Sequence, residues 1–129
     1  MFILSCLLIG AIGVLCFVPH KKTKTVEFVF PQRFLGIIKV KYDKSGDPPK
    51  YTKSGILFEV PESGIVITND GTIFNEWYIL RGRFNDGVEL PDALHNKGSL
   101  IFDALDSSSD GWVRLFVGTK EELDSERKK

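Results

Sequence analysis

The sequence predicts an all-β chain folded as an antiparallel β-sandwich, with a hydrophobic helix before it and a short helix after it. Three observations carry this. Seven or eight short apolar stretches alternate or run in β-rich residues, and turn residues separate them every 8 to 12 positions. No helical periodicity appears inside that region. Fifteen aromatic residues (10 Phe, 3 Tyr, 2 Trp) supply a packed core, which argues against disorder. A small closed barrel is the alternative architecture.

The first element is apolar. Residues 2–18, "FILSCLLIGAIGVLCFV", are 17 residues without a charge. As a helix they would span roughly 26 Å, at the short end of the membrane-crossing range. Three readings compete. An uncleaved anchor needs only length and apolarity, and both are present. A lipoprotein signal needs a small residue just before a modified cysteine; Cys16 follows "GVL", a poor fit, and Cys6 follows "ILS" but lies too near the start. A cleaved signal peptide needs a basic beginning and an A-x-A site, and neither is visible. Cys16 is therefore kept as a weak lipid-attachment candidate beside the anchor. Lys21, Lys22 and Lys24 follow the run, and the positive-inside rule read literally would turn the domain inward.

Residues 20–25 form a polar linker, and the domain starts at 26. In "TVEFVF" Val26, Phe28 and Phe30 share one face of a strand that Pro31 stops. In "LGIIKVKYD" Ile38, Val40 and Tyr42 share a face, which puts Lys39 and Lys41 on the wet side. Residues 44–55 have turn composition. "ILFEV" and "IVIT" are strands around the turn "PESG". "NDG" at 69–71 and again at 85–87 carries a hairpin signal, with "TIFNEWYIL" as a strand between them. "VEL" and "SLIFDAL" follow, and "WVRLFVG" closes the sandwich at 118. In the tail, 119–129, Thr119 and Glu122 have capping-box spacing and Leu123 is the only apolar side chain, so a short solvated helix is expected.

Composition excludes several functions. Lys plus Arg equals Asp plus Glu at 17 each, so no electrostatic footprint for nucleic acid exists. Both cysteines lie in the apolar run, which removes a thiol nucleophile, a Cys-type zinc site and an internal disulfide from the domain. No Gly-rich phosphate loop or serine-hydrolase signature appears. The expected catalytic, cofactor and metal sets are therefore empty. His95 is the sole histidine of the domain and sits in a loop. From Asp106 the chain imitates the start of a calcium loop through Asp110 and Gly111, but the twelfth position is Val117 where Glu is required. Trp77, Tyr78 and Trp112 could form a stacking platform. Trp77 and Tyr78 must face opposite ways, however, and Trp112 is expected in the core beside Val113, Leu115 and Val117.

Four pieces, "FPQRFLGIIKV", "FEVPESGIVIT", "EWYIL" and "FVGT", resemble a family of small bacterial cell-envelope, lipoprotein-like domains of unknown function. The matching positions are Pro31, Phe34 and Gly36; Pro61, Gly64, Ile65 and Thr68; Tyr78; and Phe116 to Thr119. The chain is also loosely similar to immunoglobulin/prealbumin-like sandwich domains. The resemblance implies an exported, membrane-tethered, non-catalytic domain. Its partner would be a protein or an envelope polymer, reached through loops, with 44–55 as the candidate. It supplies no catalytic residues. The alternatives are a small hydrolase using Asp103, Asp106 or His95, and an inward-facing module.

Overall fold

In the computed structural model, residues 23–95, 100–107 and 112–129 are described. The apolar run 2–18, with the helix expected there and Cys16, lies outside them, as does Asp110 of the calcium-like turn. Nine strands form two sheets packed face to face. β1 (Lys24–Phe30), β3 (Lys50–Tyr51), β4 (Gly55–Glu59), β6 (Tyr78–Phe84) and β7 (Glu89–Leu90) make the first, in the order β3-β4-β1-β6-β7. β2 (Gly36–Asp47), β5 (Ile65–Thr68), β8 (Ile101–Ser107) and β9 (Trp112–Gly118) make the second, in the order β5-β2-β9-β8.

The sheets are mixed, which corrects the purely antiparallel expectation. β1 pairs in parallel with both β4 and β6, and β2 in parallel with β5. Antiparallel pairs join β2 to β9, β8 to β9, β3 to β4 and β6 to β7. The cause is topological. From β1 to β6 the long strands alternate between the sheets, each turn carrying the chain across the core. β1, β4 and β6 therefore run one way and β2 and β5 the other.

The alternation read from the sequence fills the interior. Val26, Phe28, Phe30, Ile38 and Leu115 are fully buried, with Phe58, Phe84 and Phe102 beside them. The turns between sheets rely on special backbone at Gly36 (φ 115°) and Gly64 (φ 76°), where glycine avoids the left-handed penalty. The second "NDG" is a true hairpin turn: Gly87 has φ 97°, and its amide donates to the Phe84 carbonyl at 2.9 Å. The first is not. Asp70 Oδ1 accepts from both the amide and the hydroxyl of Thr72, at 2.9 and 2.7 Å. That side-chain turn leads into a 3-10 helix over Ile73–Asn75 in place of the expected strand start. β5 and β6 belong to different sheets, so no hairpin can join them.

The C-terminal helix α1 (Lys120–Arg127) opens with the expected capping box. Glu122 N donates to Thr119 Oγ1 at 3.1 Å, and Thr119 N donates to Glu122 Oε1 at 2.9 Å. It is not merely solvated. Leu123 is fully buried against Ile101 and Phe116 on the outer face of the second sheet, and Arg127 donates to the Ala104 carbonyl at 2.7 Å. Thr119→Ala should cost about 1 kcal/mol in a urea titration. A loss near zero would show that packing of Leu123 holds the helix without its cap.

Candidate functional site

β1 begins where the chain arrives from residues 2–18. β2 runs opposite to β1, so that end of the sandwich also carries the end of β2, the end of β5, the start of β6, the end of β8 and the start of β9. Side chains confirm the neighbourhood. Lys24 Nζ lies 3.9 Å from Glu76, and Tyr51 Oη donates to Asp70 Oδ2 at 3.2 Å. Thr72 holds the Asp70 carboxyl below its usual range, through its hydroxyl first and its amide second.

Two hollows open here. At this end of the second sheet, beside the 3-10 helix, lies a cleft of about 190 Å³ lined by Tyr42, Asp70, Phe74, Asn75, Ser107 and Trp112. That is below the roughly 300–1,000 Å³ of small-molecule sites, so it suits one side chain or one ring. Beside it, a shallower groove of about 580 Å³ runs along Lys24, Tyr51, Thr52, Lys53 and Ser54. The supposed loop 44–55 forms part of this end. It is mostly built structure: residues 44–47 extend β2 and 50–51 form β3.

The aromatic residues divide as parity requires, and one of them departs from the sequence expectation. Tyr78 packs edge-on to Phe74 at 5.2 Å and joins the core margin, while Trp77 stands 90% exposed. Trp112 is not in the core. Its parity is opposite to Val113, Leu115 and Val117, so it lies on the outer face of the second sheet, half-buried, with Lys41 Nζ 4.9 Å above its ring. Lys39 is exposed as expected; Lys41 is half-covered by this contact.

The residues of a hydrolytic site are engaged elsewhere. His95 Nδ1 lies 2.8 Å from Asp92 in its own loop, and the imidazole is largely exposed. Asp103 accepts from the amides of Ala93 at 2.9 Å and Ala104 at 2.7 Å, tying that loop to β8. Asp106 accepts from Arg114 Nε at 2.7 Å, and this guanidinium lowers its carboxyl pKa. None of the three lines the cleft. Among the described residues no group of three His, Cys, Asp or Glu is placed to hold a metal. No helix among them is long and apolar enough to cross a membrane.

The opposite end carries the turns after β1 and β6, and Leu35 and Val88 are exposed there. Of the exposed groups at the two ends the sequence singled out Trp77 alone, because it does not show which turns share an end.

No protein-family model matches the chain, and no curated protein matches it. Among solved structures, the crystal structure of a candidate lipoprotein from Bacillus anthracis is similar: 11% identical, with a TM-score of 0.48, covering 74% of this chain and 71% of that one. A likeness at this level says nothing of ligand or activity.

Proposed function

We propose that the chain is a membrane-tethered, non-catalytic domain of the bacterial cell envelope that binds a protein or an envelope polymer. The tether is residues 2–18, either as a retained span or through lipid on Cys16. One observation carries the reading. Only residues 19–23 separate the apolar run from Lys24. Fully extended they reach roughly 18 Å. The start of β1 is thus held near the membrane, and the turns bearing Leu35 and Val88 point away from it. Connecting segments on a rigid sandwich are where contacts concentrate. The hydrolase alternative has no comparable support, because His95, Asp103 and Asp106 serve the loop and strand contacts given above.

The test is topology. A reporter active only outside the cytoplasm, fused to the C-terminus, is expected to be active. Loss of membrane retention in Cys16→Ser would assign lipid attachment; full retention would assign the span. A silent reporter on stable protein would overturn export and leave the inward-facing alternative. Release of soluble fragments from purified envelope polymer by the full chain would overturn the non-catalytic reading.

A further inference from the structure

The chain has three tyrosines and two tryptophans, and all five lie at the end where β1 begins: Tyr42, Tyr51, Trp77, Tyr78 and Trp112. The far end exposes only aliphatic side chains among its large apolar groups. At the near end Trp77 is 90% exposed, Tyr51 68% and Tyr42 48%. Tyr51 and Trp77 sit on or beside strands separated by β4 and β1, so they span three strand spacings, about 14 Å. One exposed aromatic residue is ordinary on a protein surface. A complete segregation of the two amphipathic ring types to one end is not explained by the core, which Phe, Ile, Val and Leu fill.

We propose that this end rests on the lipid headgroup layer of the membrane to which the chain is tethered. Trp77 and Tyr51 would act as interfacial anchors, and the groove along Thr52, Lys53 and Ser54 would face the headgroups. This rests on the tether reading. Tryptophan and tyrosine favour this depth because one part of each ring is apolar and another hydrogen-bonds. The groove supplies hydroxyls and a lysine ammonium, donors suited to phosphate oxygens. The short linker sets the distance: an extended reach of roughly 18 Å permits contact and forbids the sandwich from standing more than one strand length away. Charge at this end is mixed: Lys24, Lys41, Lys44, Lys50 and Lys53 stand among Asp43, Asp47, Asp70 and Glu76. The contact is therefore aromatic rather than electrostatic, and it should survive high salt. The same contact would form on either face of the membrane.

The test uses the full chain reconstituted in phosphatidylcholine vesicles and separated by flotation. Flotation reports the tether. Nitroxide placed at the lipid headgroup reports the docking. Trp77→Phe leaves only Trp112, so the difference between wild type and Trp77→Phe isolates the Trp77 emission. That emission is expected to fall by roughly half with headgroup label, with a blue shift unchanged in 1 M salt. Adding Val88→Trp to the Trp77→Phe chain gives, by difference from that chain, a far-end probe that should be unquenched. A chain that floats while Trp77 is unquenched, and as open to acrylamide as the far-end probe, overturns the docking and leaves the tether standing. Trp77 shielded from acrylamide yet unquenched by lipid assigns the surface to a second copy and also overturns it. A chain that does not float overturns both.

Discussion

Phe28→Ala is expected to destabilise the domain by about 4 kcal/mol. Phe28 is fully buried at the middle of β1, the central strand of the five-stranded sheet. Its ring meets Phe58 at 5.2 Å from the same sheet and Phe102 at 5.5 Å from the facing one, the latter edge-on. Truncation removes the transfer energy of the ring and these aromatic contacts, together with the stacking on Phe30 at 6.4 Å. It also leaves a cavity whose walls are themselves rigid rings on hydrogen-bonded strands, so collapse is limited. A domain of this size has about 5–15 kcal/mol to lose, so the variant should sit near the edge of folding. Urea titration of the variant beside Leu94→Ala, which removes an exposed side chain and should change stability by less than about 0.5 kcal/mol, checks this. A cost under about 2 kcal/mol would mean that the rings repack around the gap and that the aromatic cluster is softer than its geometry implies.

How much of this was legible depends on the range of the signal. The faces of β1 and β2 were readable because alternation is local: Val26, Phe28 and Phe30 had to share a side, and so did Ile38 and Val40. The capping box at Thr119 and Glu122 was readable for the same reason. Sheet membership was not. Pro31-Gln32-Arg33 and Pro61-Glu62-Ser63-Gly64 have the composition of tight turns, and tight turns serve equally for a hairpin within a sheet and an arch between sheets. Residues Asn69-Asp70-Gly71 and Asn85-Asp86-Gly87 show the ambiguity directly. The triplets are identical, yet in one Gly87 takes positive φ and closes a hairpin, and in the other the Asp70 carboxylate captures Thr72 and starts a 3-10 helix. Trp112 was misplaced because its neighbours are apolar. Parity puts it outside with Arg114 and Phe116, where Lys41 and α1 respectively supply the cover for Trp112 and Phe116. The arrangement of the candidate surfaces is a consequence of the arches. Only when β2 is known to run back antiparallel in the other sheet do residues 42, 51, 77 and 112 fall at one end.

Gly55→Ala should be nearly as damaging as the core truncation, by about 3 kcal/mol, for a reason unrelated to burial of apolar area. Gly55 opens β4 opposite Thr25 of β1, in a parallel pairing that runs on through Ile56 and Val26 to Glu59 and Val29. Its positive φ of 158° already disfavours a side chain, and space adds the larger obstacle. A Cβ at this position would lie 2.0 Å from the Thr25 carbonyl oxygen and 2.7 Å from its nitrogen. These are main-chain atoms of a central strand, and the Thr25 amide already donates to Ser54 at 3.0 Å. Nothing nearby can rotate away, as a side chain could. The strands must part at their first pair, with loss of the Thr25–Ser54 bond and the turn in which Thr52 N donates to the Gly55 carbonyl at 2.8 Å. Gly87→Ala is the control. At φ 97° it carries a backbone penalty of about 1–2 kcal/mol, but no atom lies within 4 Å of its Cβ position. If both variants lose the same stability in urea, the close approach of β4 to β1 is not the constraint at Gly55. If Gly55→Ala loses clearly more, the start of β4 is locked to the start of β1, which also fixes where Tyr51 and its groove stand beside Lys24.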